Sequence, residues 1–84
     1  MIRYTVVWLR SAQGELAELW ISAANRNAVT AAANLIDVEL SEDAATKGIP
    51  LSEGLRQFLA SPLRILFPVD EGDRVVEVAC VKRL

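Results

Sequence analysis

Pro62-Leu63-Arg64-Ile65-Leu66-Phe67-Pro68-Val69, then Asp70-Glu71-Gly72-Asp73, then Arg74 to Val81: this run decides the fold. Leu63 to Phe67 is set off by Pro62, ends near Pro68, and is apolar apart from one arginine. Arg74 to Val81 is rich in valine, the composition of a second strand. The acidic, glycine-containing tetrapeptide between them is hairpin turn chemistry. Just upstream, Gly54-Leu55-Arg56-Gln57-Phe58-Leu59-Ala60 reads as a further strand. The C-terminal third of the chain is therefore predicted to be a mainly antiparallel sheet.

Working outward, Ile2 to Leu9 is β-branched and aromatic, with Ile2, Tyr4, Val6 and Trp8 on one face. Both faces turn apolar towards its end, which predicts a central strand or one covered on both sides. Ser11 is a candidate N-cap for a helix over Ala12–Ala24, with Glu15 near the positive end of its dipole. Ala12, Leu16, Leu19, Trp20 and Ala23 supply its apolar stripe. Asn25-Arg26-Asn27 breaks the pattern, and either asparagine is suited to cap a second helix carrying Val29, Ala32, Ala33, Ile36 and Leu40. So short a turn predicts a helical hairpin. Ser41 to Glu53 contains Gly48 and Pro50 and has no usable period, so it reads as a connecting loop. The expected order is β-α-α-β-β-β. That is an α+β fold, a helical hairpin on one face of a small mainly antiparallel sheet, in one domain over 1–84. Trp8 and Trp20 are expected to fill the space between the layers. Cys80 alternates with Val76 and Val78 and is expected beside them as a buried small hydrophobe.

Composition narrows the chemistry. With 52% hydrophobic and 24% charged residues the chain is globular rather than disordered. At 84 residues it buries only about 60% of the surface its unfolded form exposes, so a partner or a homo-oligomer would add stability. It contains no histidine, which excludes Ser-His-Asp triads and histidine-ligated metal sites. A single cysteine excludes an internal disulfide and fits a reducing, cytoplasmic setting. No apolar run reaches the roughly 18 residues of a membrane helix, so no membrane partner is expected. The net charge of −2 conceals opposed regions. Residues 11–53 carry two basic and seven acidic side chains, whereas residues 54–84 carry five basic and four acidic. The helical hairpin is the acidic side and the sheet the more basic one.

Taken in order, Tyr4-x-Val6-x-Trp8, the alanine- and leucine-rich hairpin, Glu53-Gly54-Leu55-Arg56, Pro62 to Val69, and a closing strand reaching Val81-Lys82-Arg83 span nearly the whole chain. In this order and spacing the chain resembles the RelE/ParE toxin family of bacterial type II toxin–antitoxin pairs. The resemblance implies a compact toxin neutralised by a cognate antitoxin that wraps over it in a heteromeric complex. In the ribonuclease branch the toxin enters the ribosome and cuts mRNA without a metal or cofactor. In the gyrase branch a similar fold poisons DNA gyrase, and a degenerate member would keep antitoxin binding alone.

Metal-independent RNA cleavage needs a base near the 2′-hydroxyl, cations on the phosphate and help for the departing 5′-oxygen. Arginine suits the phosphate because its planar fork donates two parallel hydrogen bonds and stays charged. The resemblance assigns phosphate binding to Arg64 and the phosphate or leaving-group side to Arg83. Arg56 and Lys82 are supporting cations. Strand parity sends Lys82 and Arg83 to opposite faces, so one of them shares a pocket with Arg64. Glu53 and Glu77 are the candidate general bases. In a regular strand Glu77 faces the same side as Arg83, where it also fits a partner for a neighbouring cation.

Overall fold

The computed structural model describes residues 2–52 and 54–84. Glu53, one of the two candidate bases, lies outside the described residues. The elements are β1 (Thr5–Trp8), α1 (Arg10–Ser22), α2 (Arg26–Leu40), a 3-10 turn (Ala44–Thr46), β2 (Ile49–Ser52), β3 (Leu55–Ala60), β4 (Leu63–Asp70), β5 (Val75–Val78) and β6 (Cys80–Arg83). The α+β architecture predicted from the sequence is the one observed, with two more strands than expected.

β4 organises the sheet. Leu63, Ile65 and Phe67 are buried on one of its faces, while Arg64 and Leu66 between them are half-buried on the other. Each fully buried apolar side chain of this size contributes about 1.5–3 kcal/mol. The described strands run in the order β1-β5-β4-β3-β2, with β6 also paired to β4. One edge of β4 holds β3 from Leu55↔Pro68 to Ala60↔Leu63. The other edge holds β6 and then β5. Every pairing is antiparallel except β1 with β5. From α2, the side chains of Val29, Ala32, Ile36 and Leu40 close the core against this floor.

Between β5 and β6 the strand gains a residue. Val76 pairs with Val69 and Cys80 with Leu66, so four steps along this strand oppose three along β4. Ala79 is the irregular position, and its N–H donates to the Leu66 carbonyl at 3.0 Å. Such a bulge flips side-chain parity. Val76 and Val78 are buried before it and Val81 after it. Cys80 therefore leaves the valine face on which it was expected and lies half-buried beside Leu66.

Four other expectations change. The segment expected to be a loop contains β2, an edge strand whose residues are all exposed and which therefore shows no apolar period. Its Pro50 is tolerated because an edge strand leaves one side unpaired. β1 is the opposite edge of the sheet rather than a covered strand, with Val7 41% exposed on its outer face. α1 starts at Arg10 with Leu9 at the N-cap position and no capping side chain, so Ser11 does not cap it. Trp20 is 41% exposed, outside the core. Its indole donates to Thr30 Oγ1 at 3.2 Å across the hairpin, and Arg26 stacks 4.7 Å from its ring centre. Arg26 also donates to the Trp20 and Ile21 carbonyls at the end of α1, where a cation opposes the dipole. Of the two candidate caps for α2, Asn25 is the one that serves, accepting from the Ala28 N–H. Trp8 packs against the core and ties β1 to α2 by donating to Asp37 Oδ1 at 2.7 Å.

Candidate functional site

The helices cover one face of the sheet and leave the other open. On β4 the open face presents Arg64 and Leu66. Cross-strand pairing adds Leu59 and Gln57 from β3, and Lys82 and Cys80 from β6. Arg64 thus sits between Leu59 and Lys82, directly opposite each in the register.

Arg64 Nη1 donates to Gln57 Oε1 at 3.1 Å. A guanidinium has five N–H donors, and this neutral amide fixes its position without cancelling its charge. Among the described residues no carboxylate forms an ion pair with Arg64; the two ion pairs are Lys47–Glu39 and Lys82–Glu15. A half-buried guanidinium held by a neutral amide and paired with no described carboxylate is suited to an anion with two accessible oxygens.

The other cations have different surroundings. Arg56 lies in register with Phe67, on the helix side of the sheet. It donates to the carbonyls of Lys47 at 2.7 Å and Gly48 at 3.3 Å, which pins the approach to β2. Arg83 pairs with Leu63, so it too belongs to the helix-side face. It is exposed at the rim of a recess of about 190 Å³ lined by Leu19, Ala23, Asn25 and Pro62. The structure brings Lys82, not Arg83, beside Arg64.

Lys82 has a partner. Its ammonium donates to Glu15 Oε2, while Glu15 Oε1 accepts the Val81 N–H at 3.0 Å. The Lys82 hydrogen bond, followed by that from Val81, holds the Glu15 carboxyl below the usual carboxylate range. The same bond raises the Lys82 ammonium. Because the folded protein releases this proton more readily than the unfolded chain, Glu15 stabilises the fold at neutral pH. That contribution is lost as pH falls below the usual carboxylate range and the folded protein takes up the proton. At pH 7 the wild-type protein is expected to melt roughly 4–8 °C above Glu15→Gln, the shift produced by about 1 kcal/mol in a domain of this size. The gap should narrow as the pH is lowered below 4.5 and the carboxyl takes up its proton, as thermal melts at descending pH will show.

Glu77 points to the open face from β5, exposed between the buried Val76 and Val78. Extending the Val69↔Val76 pairing by one step places it opposite Pro68. That is four residues along β4 from Arg64, roughly 13 Å at strand spacing. The two do not meet on one phosphate, and Glu77 forms no ion pair with a described cation. The bulge also removes it from the face of Arg83. The sequence points to neither Gln57 nor Glu15 as a site residue, Glu15 being marked there only for the helix dipole. Gln57 was detectable as the one neutral polar residue in its strand, whereas Glu15 lies 66 residues from the amide it binds and carries no local signal.

No protein-family model and no curated protein sequence matches the chain. Solved structures do. The toxin–antitoxin complex RelBE2 from Mycobacterium tuberculosis contains a chain that superposes with a TM-score of 0.82 at 22% identity, over 100% of this chain and 94% of that one. The chromosomal ParDE toxin–antitoxin system from P. aeruginosa gives 0.78 at 16% identity, over 98% and 97% of the two chains. The E. coli toxin RelE, as a mutant in the free state, gives 0.71 at 17% identity, over 98% and 84%. The overall fold is thus held in common along almost the whole length, and the chain has a RelE/ParE-like toxin fold.

Proposed function

We propose that this protein is the toxin of a type II toxin–antitoxin pair and that it inhibits translation by ribosome-dependent, metal-independent mRNA cleavage. The observation that carries the proposal is Arg64, positioned by Gln57 and free of any described carboxylate on the open sheet face. An RNA phosphodiester laid across this face would offer its two non-bridging oxygens to the guanidinium. As the 2′-hydroxyl attacks phosphorus, negative charge grows on those oxygens, and a fixed cation there lowers the barrier. Leu59 and Leu66 flank Arg64 with apolar surface against which a base can rest. A cognate antitoxin is the proposed regulator, in keeping with the complexes in which several of the similar structures occur.

A non-enzymatic reading is favoured by one observation: no described carboxylate or tyrosine accompanies Arg64. Tyr4, just before β1, is buried in the core, with the Arg74 guanidinium 5.8 Å from its ring centre. A toxin with the cation and no base would bind without cutting, whether as a gyrase poison or as a degenerate member retaining only antitoxin binding.

Expression of the chain alone and with the product of the neighbouring reading frame separates these readings. Growth arrest relieved by the neighbour, with new 5′ ends on ribosome-bound mRNA, is the expected result. Arrest with intact mRNA and impaired gyrase supercoiling would replace cleavage by the gyrase reading. Normal growth of cells that contain the folded protein would leave the degenerate one.

A further inference from the structure

Lys82 stands directly across from Arg64 on the open face, on the neighbouring strand. Paired strands place such side chains about 4.5–5.5 Å apart at their Cβ atoms, close enough for both to reach one phosphate. Lys82 is nevertheless engaged elsewhere. Glu15 reaches over from α1 and takes its ammonium, and this carboxylate is not a floating surface charge. Its other oxygen accepts the Val81 N–H on the free edge of β6, so the backbone fixes it in place. Glu15 is only 28% exposed, whereas the Lys82 side chain is 53% exposed and has room to swing. The anchored partner is the acid and the mobile one is the base.

We propose that Glu15 is a built-in competitor for the anion bound at the open face: it withholds Lys82 from the ligand and leaves Arg64 to bind alone. The inference rests on the phosphate-binding reading of Arg64 and adds a residue that weakens the same site. An arriving phosphate meets Arg64, which no described carboxylate pairs, and across from it Lys82, already neutralised by a fixed negative charge. Binding is held down in two ways, by the lost contact and by repulsion. The same carboxylate satisfies a strand-edge amide, so removing it entirely would orphan the Val81 N–H. Glutamine keeps an oxygen for that amide and discards the charge, and is therefore the substitution that separates the two roles.

The test is binding of a short, fluorescently labelled, single-stranded 2′-O-methyl RNA, which cannot be cut. It is measured by anisotropy over about 50–200 mM salt. Glu15→Gln is expected to bind about 3–10-fold more tightly than wild type, from the removal of one nearby charge in a screened setting. Its salt dependence should steepen by about 0.7 in log–log slope, the value of one extra phosphate contact on a single strand. Adding Lys82→Ala to Glu15→Gln should abolish the steepening. Circular dichroism checks that each variant is folded. Unchanged affinity and slope in Glu15→Gln, with binding still weakened by Arg64→Ala, would overturn the competition and leave the phosphate reading standing. Equal binding by wild type and Arg64→Ala would overturn both.

Discussion

Arg64→Ala is expected to lower mRNA cleavage by about 10²–10³-fold, the usual cost of removing one preorganised donor from a transition-state anion. Arg64 is the cation on the open face that a neutral neighbour holds in place, so its charge is available and its orientation is already set. Arg64→Lys should recover only part of the loss. An ammonium keeps the charge but cannot offer two parallel donors while also binding the Gln57 amide oxygen. Arg83→Ala is the internal comparison: Arg83 belongs to the opposite face and should affect cleavage far less. Cleavage of ribosome-bound mRNA in a translating extract reads all three. Wild-type rates from a folded Arg64→Ala protein would move the site away from this face.

The largest expected effect on stability comes from Gly48→Ala, at about 3 kcal/mol. Gly48 has φ = +68°, and a Cβ built there would lie 1.9 Å from the Gln57 carbonyl oxygen. Two costs coincide, a left-handed backbone and a clash with the main chain of β3. Neither can be relieved by turning a side chain. The Arg56 guanidinium holds the same segment through the carbonyls of Lys47 and Gly48, so β2 cannot back away without breaking those bonds. A fall in Tm of roughly 12–24 °C is expected from thermal unfolding. Gly14→Ala is the control of opposite sign. Gly14 lies within α1, and a Cβ there meets nothing within 4 Å. Exchanging glycine for alanine in a helix should stabilise by about 0.4–1 kcal/mol.

The elements legible in the sequence were those whose burial follows a period. Leu63, Ile65 and Phe67 alternate because one face of β4 is core, and Val29, Ala32, Ile36 and Leu40 recur because one stripe of α2 is. β2 left no such trace, since an edge strand exposed on all sides needs only backbone pairing. Trp20 misled because its spacing matches the apolar stripe, whereas a ring 41% exposed serves instead as a platform for Arg26. At the site, Arg64 could be singled out from strand pattern and family resemblance. Its neighbours could not, because they depend on register. Gln57 and Lys82 reach Arg64 through pairings with β3 and β6, and Glu15 reaches Lys82 from a helix 67 residues earlier. The choice between Lys82 and Arg83 turned on one inserted residue that composition does not mark.

Side-chain parity along a strand behaves like a reading frame, and Ala79 is where this chain shifts it. Counted from Val76 without the shift, Lys82 would belong with the core-facing valines and Arg83 with Glu77 on the open side. The observed register exchanges them. Aligning this chain with a relative whose last strand is unbroken therefore requires a gap at Ala79. An ungapped alignment would superimpose basic residues from opposite sides of the sheet, giving a match in letters where the molecules present different surfaces.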